Sequence, residues 1–178
     1  MAERQFLSHG FGPFVEADSR VLILGSFPSV KSREEAFFYG HARNRFWPVL
    51  AALCGEEPPR SVEEKRALLR RHRIALYDVI ERCSIVGSSD SSIRDVEPAD
   101  LGAILAAGQI GGRIFVNGKR AAALYEKYHL PVLGLPAVTL PSTSPANAAL
   151  SLPELTERWR AALSPALSEK VYESAKNA

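Results

Sequence analysis

The chain has 178 residues, of which 46% are hydrophobic and 24% charged, and its formal net charge is +2. This is an ordinary globular composition, long enough for one domain with a full core, and its charge neither demands nor excludes nucleic acid. Cys54 and Cys83 stand alone, without CxxC or Cys/His ligand spacing, so a structural zinc or an iron–sulfur cluster is not expected. The opening MAERQFLSHG lacks the apolar core of a signal peptide, and no apolar run approaches the ~20 residues of a membrane span. A reducing, cytoplasmic setting is the expectation.

The first strand is predicted over residues 20–25, where Val21-Leu22-Ile23-Leu24 is apolar throughout, as in a strand covered on both faces. It empties into Gly25-Ser26-Phe27-Pro28-Ser29. Ser32-Arg33-Glu34-Glu35 has the form of a capping box and predicts a short helix after it. Phe46, Leu50 and Leu53 recur at i, i+4 and i+7, the stripe of an amphipathic helix. Pro48 places that helix's start close by, and Gly55 is its expected stop. Asn44 therefore lies at or just before a helix N-terminus. An exposed charged helix is predicted over 61–71, a second strand over 74–80, and a small-residue helix over 99–107. A third strand over 113–117 leads into a helix over 118–128, and a fourth strand over 137–140 ends in Pro141-Ser142-Thr143-Ser144-Pro145-Ala146-Asn147. Ser151-Leu152-Pro153-Glu154 opens a helix to about 163, and a last helix is expected over 166–176. The alternation predicts an α/β fold: a three-layer α/β/α sandwich with a central four-stranded parallel sheet. A single domain over 1–178, with its core at about 20–163, is the expected organisation.

The two Pro-stiffened loops lie at the carboxyl ends of strands, where open α/β sheets bind ligands. Gly25 allows backbone to approach a ligand closely, and the hydroxyls and amides after it suit a phosphate or a base edge. The loop is neither GxGxxG nor GxSxG, which argues against a dinucleotide site or a hydrolase nucleophile. Asn44 is either a helix cap or a group that positions water and stabilises positive charge on a sugar. Phe46 and Trp47 either stack on a base or fill the core. His41 is a ligand-facing donor or a surface histidine. Asp78, inside the apolar Leu76-Tyr77-Asp78-Val79, is costly to bury unless paired or functional. Lys119, in Asn117-Gly118-Lys119, lacks a Walker A pattern and reads as a phosphate contact or a surface residue.

With these residues in place, the chain resembles the uracil-DNA glycosylase superfamily, whose first motif is of the G-x-x-P-x type and whose second is Ser/Pro-rich. Here they are Gly25-Ser26-Phe27-Pro28-Ser29 and Ser142-Thr143-Ser144-Pro145-Ala146-Asn147. Asn44-Arg45-Phe46-Trp47 and Gly118-Lys119 are similar to the mismatch-specific branch. Most families carry Asp, Asn or Glu where Ser26 stands, and His or Asn where Ser142 stands. The four cysteines of the iron–sulfur branches are absent. Ser26, Asn44 and Ser-Pro-Ala-Asn together most resemble the hypoxanthine-DNA glycosylase family.

That resemblance implies hydrolysis of the N-glycosidic bond of a deaminated base in DNA, hypoxanthine foremost, without metal or cofactor. Asn44 and Ser26 are the implied catalytic residues. Gly25, Phe27, Phe46 and Asp78 are the implied base-binding residues. Pro28, Ser29, Ser142, Ser144, Pro145, Ala146, Asn147 and Lys119 are the implied DNA contacts, with Ala146 at the wedge position. The expected partner is single- or double-stranded DNA bearing the lesion, met by a monomer away from any membrane. A uracil- or xanthine-specific glycosylase, or a non-catalytic nucleotide-binding α/β module, remains an alternative at this point.

Overall fold

The computed structural model describes residues 2–168. Two sheets organise it. The first to form in chain order begins with β1 (Arg4–Ser8), and β2 (Val21–Gly25) begins the other. The short helix α1 (Val30–Glu35) follows, then α2 (Phe46–Leu53) and α3 (Val62–His72). β3 (Ile74–Asp78) and β4 (Ile80–Val86) are separated by Val79 alone, and a 3-10 turn (Asp90–Ser92) leads into β5 (Arg94–Pro98). The remainder alternates: α4 (Leu101–Ala107), β6 (Ile114–Asn117), α5 (Lys119–Tyr128), α6 (Leu130–Leu133), β7 (Val138–Leu140) and α7 (Leu152–Ser168).

The expected four-stranded parallel sheet is present, in the order β3-β2-β6-β7, flanked by helices. Every residue of β2 and β3 is buried, which explains their unbroken apolar sequences. The register pairs Gly25 with Asp78 and Asn117 with Leu140. All four strands therefore end at one edge, and the loops that follow them share that edge.

Three expectations are corrected. The strand predicted over 74–80 is two strands: it breaks at Val79, whose carbonyl accepts from the buried His129 ring at 2.7 Å and from the Ala99 amide at 3.1 Å. From Ile80 the chain leaves the parallel sheet and joins a three-stranded antiparallel one, β1-β4-β5, which the sequence reading lacked. Ser32 does not start α1. Ser29 is the N-cap, its hydroxyl accepting from the Ser32 amide at 3.1 Å, and Ser32 is buried inside the helix. The break between the two C-terminal helices is absent as far as Ser168, since α7 runs continuously through Pro165; the rest of the helix expected over 166–176 lies outside the described residues.

The charged helix expected over 61–71 is present as α3, which buries Leu68 and Leu69 and is capped by Ser61 through the Glu64 amide at 3.1 Å. Ser151 and Glu154 form a reciprocal capping box, Glu154 accepting from the Ser151 amide at 2.8 Å and Ser151 from the Glu154 amide at 3.3 Å. Among the described residues no helix is long and apolar enough to cross a membrane.

Candidate active site

The floor of the cleft is built by β2 and β3. The Val79 amide donates to the Gly25 carbonyl at 2.8 Å and the Ile80 amide to Ser26 at 3.2 Å, so the first loop and the end of β3 are locked together. Gly25 is sterically required. A Cβ there would lie 2.5 Å from Asp78 Oδ1 and 3.1 Å from the Tyr39 hydroxyl. These two polar atoms thus crowd the same point above the backbone of the first motif.

Asp78 is 5% exposed, and its burial is compensated. Its Oδ2 meets Nε2 of the fully buried His9 at 2.7 Å. His9 is held in turn by stacking on Tyr77, with ring centroids 4.4 Å apart, and by the edge of Phe11 at 4.5 Å. With Oδ2 engaged, Oδ1 is the oxygen that faces Gly25 and Tyr39. The Asp90 carboxyl, on the 3-10 turn, approaches from the other sheet. The residue as a whole is exposed, but desolvation of its carboxyl and the nearby Asp78 charge push its pKa up, while a hydrogen bond from Ser26 and the charge of Arg120 oppose the shift.

The second wall comes from α2 and the loop after β7. Asn44 Oδ1 accepts from the Phe46 amide at 3.0 Å and from the Thr143 hydroxyl at 2.8 Å. Arg45, not Asn44, is the N-cap of α2; Asn44 lies just before it with its oxygen engaged by these two donors, and its Nδ2 remains for a ligand. Asn117, at the end of β6, donates from Nδ2 to Thr143 Oγ1 at 2.9 Å and to the Tyr39 hydroxyl at 3.2 Å. Thr143 returns its amide to Asn117 Oδ1 at 3.1 Å. Burial, then the Asp78 charge, raise the Tyr39 phenol far above its usual range, so it stays a neutral donor.

The loop after β7 is clamped by Arg45. Its guanidinium donates to the carbonyls of Leu150 and Asn147, both at 2.6 Å, and its amide donates to Thr143 at 3.0 Å. Trp159 of α7 adds an indole hydrogen bond to Pro141 at 2.8 Å. Within the loop, Ser142 accepts from the Ser144 amide at 3.1 Å, Ser144 from the Ala146 amide at 3.2 Å, and Asn147 donates to Ser142 at 2.9 Å. Pro145 and Ala146 project at the exposed tip. Gly118 closes the seam: at φ +98, a Cβ on it would sit 3.1 Å from that of Ser142. Lys119 and Arg120, exposed at the start of α5, flank this seam.

The predicted residues thus divide. Gly25, Ser26, Asp78 and Asn44 are brought to one cleft, with Ser142, Ser144, Pro145, Ala146, Asn147 and Lys119 along its rim. Phe46 is corrected: it is fully buried, packed on Trp159, and covered by Tyr39 at 3.9 Å, so no base can reach its face. The half-buried Tyr39 is the aromatic ring at the cleft. Phe27 and Pro28 are buried, Phe27 lying under the Arg33 guanidinium and against His9, so this stretch offers backbone to a ligand rather than side chains. The Ser29 hydroxyl is committed to Ser32. His41 accepts from the Arg43 amide in an exposed turn. His9, Tyr39, Asp90, Asn117 and Thr143 were missed as site residues. The polar Asn117 ending an apolar strand was the one legible signal among them. An apolar cavity of about 740 Å³ lies elsewhere, against Phe11, Tyr77 and Ile104, and none of the predicted residues lines it.

Fold and site together define an α/β protein whose ligand cleft is assembled from motifs at both ends of the sequence. The sequence model of the Uracil DNA glycosylase superfamily matches residues 12–164. The chain belongs to that superfamily. It is 33% identical over 156 residues to a Hypoxanthine DNA glycosylase of Methanosarcina acetivorans, covering 87% of this chain and 97% of that protein. It is 30% identical over 139 residues to a Hypoxanthine DNA glycosylase of Methanosarcina barkeri, covering 78% and 87%. A solution NMR structure of a Methanosarcina acetivorans protein, solved as a candidate uracil DNA glycosylase, superposes with a TM-score of 0.69. It is 32% identical, and the match covers 89% of this chain and 99% of that one.

Proposed function

We propose that the protein is a monofunctional DNA glycosylase that removes a deaminated base, hypoxanthine foremost, by hydrolysing its N-glycosidic bond. The observation that carries this reading is the Asp78 oxygen left free of His9, beside the Tyr39 hydroxyl, which Asn117 and Thr143 connect by three hydrogen bonds to Asn44. A carboxylate oxygen accepts and does not donate. Deamination converts the bare ring nitrogen of adenine into an N–H beside a carbonyl. Asp78 Oδ1 pairs with that N–H and repels the lone pair of intact adenine, so the site selects the lesion by the sign of one hydrogen bond.

The base must leave the stack to reach this cleft, and a mispaired lesion opens most cheaply. Tyr39 lies against it, supported from behind by Phe46. The Ser144-Pro145-Ala146 tip and Lys119 hold the flanking phosphates. The bond from the base nitrogen to C1′ breaks with its electron pair going to the base, whose developing charge is met by the amides of the first loop. Asn44 Nδ2 donates to a water oxygen and fixes it beside C1′. That oxygen's other lone pair adds to the sugar cation, and the proton it then loses passes through solvent to the departing base, which leaves neutral. All of these groups come from one chain, which supports a monomer as the active unit.

Uracil and xanthine carry the same N–H beside a carbonyl, so Asp78 also favours a second reading in which one of them is the main substrate. Oligonucleotides bearing a single hypoxanthine, uracil or xanthine, single- and double-stranded, separate the readings after cleavage at abasic sites. Abasic product from hypoxanthine, lost in Asn44→Ala, is the expected result. DNA binding without product from any lesion would instead identify a non-catalytic binding module.

A further inference from the structure

Three side chains behind the cleft form a hydrogen-bonded chain whose direction is fixed at both ends. At one end, the Thr143 amide can only donate, so the Asn117 atom it meets is Oδ1 and the other is Nδ2. At the other end, the Phe46 amide can only donate, so the Asn44 atom it meets is also Oδ1. Asn117 Nδ2 therefore donates to Thr143 Oγ1, and the Thr143 hydroxyl has its proton left for Asn44 Oδ1. Neither carboxamide can rotate by half a turn without placing a donor against a donor. Thr143 is fully buried, so water cannot replace its hydroxyl in this chain.

We infer that Asn117 and Thr143 are positioning residues, which turn the Asn44 carboxamide so that its Nδ2, and not its oxygen, faces the scissile bond. This rests on the proposed role of Asn44. The same polarity reaches the opposite wall: the second Asn117 proton goes to the Tyr39 oxygen, so the phenol proton is left to point into the cleft. One asparagine at the end of β6 thereby sets two donors on two walls.

The test uses single-turnover excision at saturating enzyme, with DNA affinity and melting temperature measured on each variant. Thr143→Val keeps the shape and removes the hydroxyl. It is expected to slow excision on the order of tenfold to a hundredfold at unchanged DNA affinity, as misplacement of a reacting group does. Thr143→Ser restores most of the rate. Asn117→Asp tests polarity directly and covers the case in which Thr143→Val does not fold. An ionised carboxylate still accepts the Thr143 amide, but it draws the Thr143 hydroxyl away from Asn44. Protonation returns a donor to that position. The rate of Asn117→Asp relative to the parent is therefore expected to rise as pH falls from 8 towards 5, because partial burial and the Asp78 and Asp90 charges on this side of the sheet favour the protonated form of the new carboxyl. Tyr39, Asp78, Asp90, Lys119 and Arg120 are the ionisable groups around that position, and all are common to both proteins, so the ratio isolates residue 117. A parent-like rate in Thr143→Val, or an Asn117→Asp ratio that does not change with pH, would overturn the inference. An active Asn44→Ala would instead sink the role of Asn44 itself.

Discussion

His9 is the reason a carboxylate can stand at the end of an otherwise apolar strand. With His9 removed, Asp78 is left buried without a partner, and breaking such a pair costs on the order of 3–5 kcal/mol. His9→Ala is therefore expected to lower urea-unfolding stability by about that much, and adding Asp78→Asn to it should recover a part. A His9→Ala protein as stable as the parent would mean the pair holds nothing together. Asp90 works in the opposite sense. Its folded pKa lies above the ordinary 3.8, so the native state binds this proton more tightly than the unfolded chain does. Its effect is harmless below that ordinary value and becomes a loss of stability as pH rises through the raised one. Asp90→Asn should melt higher than the parent at pH 7, with the gap closing towards pH 4. A destabilised Asp90→Asn at pH 7 would contradict this sign. Residues kept at a cost in stability are typical of functional sites, where a strained or desolvated group serves the chemistry.

At the scale of elements, the site depends on how the end of one segment is tied to the start of another. Arg45 precedes α2 and grips the loop after β7 through two carbonyls. Arg45→Gln keeps the helix start but cannot reproduce the planar two-pronged donation. It is expected to weaken DNA binding severalfold, by fluorescence anisotropy, while changing the melting temperature little. Unchanged affinity would mean the loop is held by Trp159 and its own turns alone.

The same scale explains what was legible. The central strands β2 and β3 announced themselves because both faces are covered, which forces unbroken apolar runs such as Val21-Leu22-Ile23-Leu24, whereas β7 is exposed at Val138 and Thr139 and was marked by the turn residues after it. The antiparallel sheet did not. β1 is exposed along most of its length, and β5 reads Arg-Asp-Val-Glu-Pro, a charged edge strand without a periodic signal. With β1 unread, His9 just after it was unread too, because its partner lies 69 positions away. Of the two S-x-x-E patterns read as capping boxes, the one at Ser151 caps and the one at Ser32 does not, since Ser29 lies three residues before Ser32 and takes that role first. The aromatic of the cleft was misplaced by one layer. Phe46 fits the helical stripe of Leu50 and Leu53, which is the reason it is buried. Tyr39 sits at φ +53 in a turn, where no periodicity could mark it.

For the whole molecule, the question is how a chain with a net charge of only +2 grips a polyanion. Several of the cations that could do so are already engaged. Arg70, Arg71, Arg73, Arg82 and Arg160 pair with carboxylates. Arg45 holds the second loop, and Arg33 donates to Pro28 over the Phe27 ring. At the cleft rim this leaves Arg43 beside Asn44 and Lys119 and Arg120 at the start of α5, all exposed. The positive end of the α5 dipole adds to the latter two. Each phosphate neutralised on duplex DNA releases condensed counterions and contributes about −0.9 to the slope of log affinity against log salt. Three rim contacts therefore predict a slope of about −3 for lesion-bearing duplex. Lys119→Gln and Arg120→Gln should each flatten it by about one, without changing the ranking of lesions, because phosphate contacts carry no base information. A slope near zero would remove the rim from DNA binding. A slope several units steeper would mean that the duplex lies across a wider face and opens some of the ion pairs above. In that case Glu97→Gln, which frees Arg82, should tighten binding, whereas with three rim contacts it leaves affinity as it was.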